Sequence, residues 1–323
     1  MAVYTEIAED ELARFLSGFE LGEAVAFKGI AEGVSNSNYL LETTTGRFIL
    51  TVYEPARSNE ADLPYFLALM DHLATHGFPS ARPVADRTGA TLSRVAGKPA
   101  ALVEFLPGLS VKRPSLDQLR SAGAGLAWLH EAAQGFEGRR HNDLGQAHWI
   151  EMFKPLHAAA DDLKPGLSDA IARDLAFLDR TWPQTLPTGP IHADFFPDNV
   201  FFKGAAFAAA IDFYFACDDF LAYDVAVALN AWCFEPDGSF NLTSASAFLT
   251  GYQSRRPLSA AEKDALPVLA HGAAMRFFLS RLQDWKPVEP GQLVKPHNPL
   301  EYERKLAVHR EGVHLFARDA LRS

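Results

Sequence analysis

The alternation of apolar and polar positions changes period part-way along the chain, and the change divides it into two unlike halves. Residues 9–16 repeat at helical spacing and predict a short amphipathic helix. Over residues 39–53, β-branched and aromatic side chains flank a Thr-Gly pair, which predicts two strands joined by a tight turn. A polar, glycine-bearing connection, residues 29–38, leads into them from an earlier strand. Leu63, Leu67, Met70 and Leu73 or Ala74 then recur at helical spacing with Gly77 at the stop, so 64–76 reads as a helix. Turns and short strands follow over 79–97, and 100–106 is a continuous apolar run of the kind a buried strand shows. Pro107-Gly108 ends that run and is the expected boundary between the halves.

Beyond the Pro-Gly pair the period is helical. Ala122, Leu126 and Leu129 form one apolar face, Val225, Leu229 and Trp232 a second, and Leu269, Ala273 and Phe277 a third. One short β-signal interrupts them: residues 200–202, a Lys203-Gly204 turn and residues 207–211 predict a hairpin. The expected class is α+β, with two lobes. A small antiparallel sheet lobe spans residues 1–106, and a larger, mainly helical lobe spans 107–323.

Composition narrows the function. Hydrophobic residues make up 48% and charged residues 22% of the 323 positions, enough for a sizeable core. The net charge of −10 argues against nucleic acid or an anionic membrane as partner, since both call for a basic face. The acidic start, MAVYTEIAEDELARF, lacks the form of a signal peptide, and no apolar run of about 20 residues is present to cross a bilayer. A cytoplasmic protein is expected. Cys217 and Cys233 lie in apolar segments and read as two buried thiols.

The chemistry concentrates in Ile191-His-Ala-Asp-Phe-Phe-Pro-Asp-Asn-Val-Phe-Phe202, followed by Ala210-Ile-Asp-Phe213. An acid, an amide five positions later, and a second acid across a short hairpin suit phosphoryl transfer, which needs alignment and charge neutralisation more than covalent chemistry. In this reading Asp194 accepts the proton of an attacking hydroxyl, while Asn199 and Asp212 offer oxygens to Mg²⁺. The spacing matches the catalytic loop of protein kinases, with His192-Ala193-Asp194 for His-Arg-Asp. The plainer reading of Asp198-Asn199 is a turn cap, and His192 reads better as a buried brace for the loop than as a metal ligand. A metal-dependent hydrolase using His192 and Asp194, and a nucleotide-binding scaffold without activity, stay open on these residues alone.

For ATP, Gly33, Val34, Ser35, Asn36, Ser37 and Asn38 form a candidate phosphate cradle, with backbone N–H groups as donors. A structural hairpin loop competes with that reading. The Glu104 carbonyl and the Leu106 amide are candidates for the adenine edge. Thr51 stands where kinases usually carry a phosphate-binding lysine, so Arg47, another cation, or the metal and loop amides must compensate. Glu60 is placed plausibly for the helix glutamate that pairs with such a lysine. Arg276 and Arg281 are candidates for a substrate carboxylate, because a guanidinium fork matches it bidentately. Arg139 and Arg140 are further candidates.

The His-x-Asp and Ile-Asp-Phe forms resemble the aminoglycoside phosphotransferase and choline kinase group, with its protein-kinase-like two-lobe fold. More specifically, Glu32-Gly-Val-Ser-Asn-Ser-Asn-Tyr39, Gly46-Arg-Phe-Ile-Leu-Thr-Val-Tyr-Glu54, Leu63-Pro-Tyr-Phe-Leu-Ala-Leu-Met70, Gly97-Lys-Pro-Ala100, Leu126-Ala-Trp-Leu-His130 and Arg140-His-Asn-Asp-Leu-Gly145 resemble the bacterial homoserine kinases of that group. Thr at position 51 belongs to the same pattern. The resemblance implies ATP- and Mg²⁺-dependent phosphorylation of the side-chain hydroxyl of L-homoserine, in threonine biosynthesis. Sister kinases of choline, methylthioribose or aminoglycosides share the catalytic residues, so the residues alone reach only a kinase of a small hydroxyl compound.

Overall fold

The computed structural model describes residues 5–30, 36–54, 59–285 and 297–312. Its first element is α1 (Glu9–Leu16), whose Glu9, Asp10 and Glu11 sit at the helix end that favours negative charge. Strands β1 (Ala24–Gly29), β2 (Ser37–Thr43) and β3 (Arg47–Val52) follow, then α2 (Leu63–Thr75), β4 (Ser93–Val95) and β5 (Lys98–Glu104). The strands form one antiparallel sheet in the order β1-β2-β3-β5-β4.

Strand alternation gives the sheet two faces. Tyr39, Leu41, Leu50, Val52 and Leu102 point outward onto Leu12 and Phe15 of α1. Each fully buried leucine there contributes roughly 1.5–3 kcal/mol. Ile49, Tyr53, Ala101 and Val103 point inward, toward α2 and the helices beyond. Asn38, opposite Thr51 in the register, therefore lies on the inner face, and Ser37, opposite Val52, on the outer one. The Ser37 hydroxyl donates to Glu54 (2.8 Å) on that outer side, where Glu54 also meets Lys98.

The helical portion begins with α3 (Leu116–Ala132), capped reciprocally by Ser115 and Gln118. It continues through α4 (Gln146–Phe153), α5 (His157–Leu163) and α6 (Leu167–Thr181), and then β6 (Thr188–Ile191), β7 (Val200–Lys203), β8 (Ala206–Ala210) and β9 (Cys217–Phe220). Helices α7 (Leu221–Trp232), α8 (Leu242–Gln253), α9 (Ala260–Asp284) and α10 (Pro299–Glu311) complete the order. Helices α3 and α8 pack backbone to backbone: a Cβ at Gly123 would lie 2.0 Å from the Phe248 carbonyl oxygen, and one at Gly251 lies 1.8 Å from that of Arg120. Strand β6 pairs with β9, and β7 with β8, so two small antiparallel pairs are set into the helical mass. Among the described residues no helix is long and apolar enough to cross a membrane. Cys217 and Cys233 are buried, and burial pushes both thiols up.

Candidate active site

The segment between β6 and β7 is fixed from below by Asp224 of α7. Asp224 is fully buried, and its two oxygens accept the backbone N–H groups of His192 and Ala193, each at 2.8 Å. His130 of α3 supplies a third bond at 3.1 Å, and its other ring nitrogen meets the Tyr252 hydroxyl at 2.8 Å. Burial raises the Asp224 carboxyl, but these bonds, His130 first, outweigh it and hold the group below the usual range. The close approach of α3 and α8 is what lets His130 and Tyr252 touch. Trp232 adds a bond to the Phe195 carbonyl at 2.7 Å.

His192 braces the loop from within. Its Nδ1 accepts the Asp194 N–H at 3.2 Å, so Nε2 carries the proton and donates to the Ile211 carbonyl at 2.9 Å. Burial lowers its pKa, in keeping with a neutral ring. Ala193 adopts φ 59°, a left-handed conformation that non-glycine residues rarely take, and Asp212 does the same at φ 64°.

The hairpin register explains how Asp212 arrives. Val200 pairs with Ala210, and the Ile211 N–H donates to the Asn199 carbonyl at 3.0 Å, so the residue after Ile211 emerges beside Asn199. The Asn199 amide nitrogen donates to the Asp194 backbone oxygen (2.9 Å) and carboxylate (3.0 Å). Its donors are thereby engaged, and the amide oxygen is left for another partner. Desolvation, with the charges of Asp212 and Asp198 and against the pull of Arg276, raises Asp194 to about 7. Asp212 opens onto the cleft, whose confinement and the nearby Asp198 raise it to about 6. Asp198 is thus a third negative charge at the site. The donors are all oxygens, which suits a hard cation. Among the described residues no three His, Cys, Asp or Glu side chains are grouped so as to hold a metal ion by themselves.

A cavity of about 220 Å³ opens onto Asp212, lined also by Asn36, Asp62, Arg140, Phe215 and Arg276. Arg276 is only 4% exposed and lies over the rings of Phe277 (3.9 Å) and Phe215 (4.9 Å). Among the described residues no carboxylate pairs with it. Arg281, five residues on, is turned elsewhere: it pairs with Glu301 at 2.7 Å and lies over Tyr302. Arg140 reaches the cavity with its charge already answered by Asp62 (3.2 Å) and Asp143 (2.7 Å). Arg139, 70% exposed, lies 3.8 Å from Asp218.

On the nucleotide side, Gly33, Val34 and Ser35 lie outside the described residues. Asn36 lines the cavity and Asn38 faces inward, whereas the Ser37 side chain points to the opposite face. Glu104 ends β5, and the Leu106 N–H beyond it donates to no backbone carbonyl among the described residues. Arg47 lies over the Phe105 ring at 4.5 Å, near that same end of the sheet. Glu60 pairs with Arg94. Thr51 donates to Asn38 (2.8 Å), and two residues along, the Tyr53 hydroxyl meets that of Tyr214 at 3.2 Å.

Known proteins of related sequence and shape bear on this geometry. Residues 26–258 match the APH phosphotransferase enzyme family. The chain is 66% identical to homoserine kinase of Caulobacter sp. (strain K31), over 99% of this chain and 100% of the relative. It is 52% identical to homoserine kinase of Sinorhizobium medicae, over 96% and 95% of the two chains. Among solved structures, the amicoumacin kinase hAmiN superposes with a TM-score of 0.70 at 16% identity, covering 97% of this chain and 94% of its own. A microcompartment-associated aminopropanol kinase gives 0.69 at 18% identity, over 94% of each chain. These last two establish the kinase-like two-lobe fold.

Proposed function

The chain belongs to the phosphotransferase enzyme family, and from that premise we propose that it transfers the γ-phosphate of ATP to the side-chain hydroxyl of L-homoserine, giving ADP and O-phospho-L-homoserine for threonine synthesis. Within the cavity, the observation that carries this reading is Arg276. A buried guanidinium that no carboxylate among the described residues pairs with, lining a cavity of about 220 Å³, asks for a small anion-bearing ligand. The carboxylate of an amino acid meets that demand. Choline and aminoglycosides bring no carboxylate for Arg276 to hold.

In the mechanism, Asp194 takes the hydroxyl proton while the new oxygen–phosphorus bond forms and the bond from the γ-phosphorus to the β-bridging oxygen breaks. ADP departs with that electron pair. Asn199, bonded to the backbone and side-chain oxygens of Asp194, keeps the carboxylate in one orientation. Asp212 and the Asn199 amide oxygen would hold Mg²⁺, which when bound would neutralise phosphate charge. The crowding that raises Asp194 and Asp212 is what a divalent ion would relieve. Asn36 and Asn38 would contribute to the phosphate cradle, and the Glu104 carbonyl and Leu106 amide would read the adenine edge. Arg276 holds the substrate carboxylate; Arg281, already paired, acts behind it at most.

The test is ADP release by the purified protein with Mg²⁺ and ATP, offering L-homoserine, choline, methylthioribose and an aminoglycoside separately. Turnover is expected with L-homoserine at millimolar concentration. Turnover of another acceptor with none of homoserine would overturn the assignment.

A further inference from the structure

We infer that the Tyr214 phenol is the group that binds a nucleotide phosphate where other kinases place a lysine, and that Thr51 and Tyr53 position it. The inference rests on the nucleotide site described above but goes beyond it, since neither the family likeness nor Thr51 itself says what replaces the cation.

Three observations lead to it. First, the inner face around Thr51 carries a string of neutral hydroxyls. Thr51 is bonded to Asn38, Tyr214 is in contact with Thr51, and Tyr53 is bonded to Tyr214. The string runs from Asn38, beside the phosphate cradle, to Tyr214, two residues past Asp212 and lining the same cavity. Second, the protons can be counted. Tyr53 is 1% exposed, and its hydroxyl has no partner but Tyr214 among the described residues, so Tyr53 donates and Tyr214 accepts. The Thr51 proton goes to Asn38. The Tyr214 proton then has two acceptors within reach, the Thr51 oxygen beside it and an anion in the cavity it lines. The ring is held edge-on to Tyr53 (5.4 Å) and Phe66 (5.8 Å), so its hydroxyl is already aimed.

Third, among the described residues the cations near this face are engaged elsewhere. Lys98 is tied to Glu54 on the outer face, Arg47 lies over Phe105, Arg94 is paired with Glu60, and Arg140 with Asp62 and Asp143. Lys28 shares the inner face, but its register row runs through Leu40 and Ile49. That is two strands and one row from Thr51, about 12 Å at ordinary sheet spacings.

The experiment compares MgADP and adenosine binding by titration calorimetry for the parent protein, Tyr214→Phe, Tyr53→Phe and Lys28→Gln. Loss of a hydrogen bond to a charged oxygen is worth roughly tenfold or more in affinity. Tyr214→Phe should weaken MgADP by about that factor, leave adenosine unchanged, and raise KM for ATP with KM for homoserine unaltered. Tyr53→Phe should weaken MgADP less, and Lys28→Gln not at all. Unchanged MgADP affinity in Tyr214→Phe, equal loss of adenosine, or a loss confined to Lys28→Gln would overturn the inference while leaving homoserine phosphorylation intact. Should Tyr214→Phe fold poorly, 3-fluorotyrosine at 214 keeps the shape and strengthens the donor; it must then tighten MgADP, and unchanged affinity counts against the proposal.

Discussion

Two sets of carboxylates lie on opposite sides of one loop and are treated in opposite ways. Below it, Asp224 is sealed from solvent yet held charged by two amides and a histidine. Above it, burial first and neighbouring negative charges second drive Asp194 and Asp212 toward the protonated form. The amides and His130 answer one group so completely that it can only support structure. The other two have fewer partners, the Asn199 amide for Asp194 and the Tyr214 N–H for Asp212, and their raised values lower the stability of the fold.

The comparison breaks most sharply at Asp194. Asp194→Asn should lower turnover by about 10²–10⁴-fold, the range for a lost general base, with MgADP affinity held within about threefold. The same substitution should stabilise the metal-free protein by about 1–2 kcal/mol at pH 8, because it removes a crowded charge. Parent-like turnover would dismiss Asp194 as the base. Asp224→Ala should do the reverse to stability, with a loss of about 3–5 kcal/mol in urea denaturation, since two amides and His130 lose their partner. A change under about 1 kcal/mol would mean that the loop is held by something else.

Arg276→Gln tests the unanswered cation. It should raise KM for homoserine roughly 10–100-fold, and leave the weaker turnover of 3-aminopropanol, which lacks the carboxylate, unaltered. Equal effects on the two acceptors would place Arg276 elsewhere than on the carboxylate.

The smallest effect is a pH profile with limbs of opposite sign. Asp224 has a depressed folded-state pKa, so its contribution is full above about pH 4 and is lost as pH falls through the folded value. Asp194 and Asp212 have raised values, about 7 and about 6, so the metal-free fold loses stability as pH rises from about 4 toward those values. Denaturation midpoints between pH 3 and 8 should show both limbs, with Mg²⁺ flattening the upper one. An upper limb indifferent to Mg²⁺ would dissociate these carboxylates from a metal.

Most of the elements were legible because their signals are local. The Thr-Gly turn, the α2 periodicity and the 200–211 hairpin each depend on neighbours in sequence, and they appear where the pattern puts them. Asp194, Asn199 and Asp212 were legible as a set because one loop and one hairpin relate them. Arg276 and Arg281 could not be ranked from sequence, since what separates them is Glu301, which α10 brings alongside. The Ser37 side chain needed the strand register, and the pairing of Tyr53 with Tyr214 spans 161 positions, beyond any local pattern.

The amides of His192 and Ala193 have a consequence for dynamics. They terminate on a buried carboxylate instead of on water, so deuterium can reach them only when α7 separates from the loop. Their exchange should follow global unfolding, although both residues lie outside any helix or strand. A connecting segment would thus be among the slowest parts of the molecule to open.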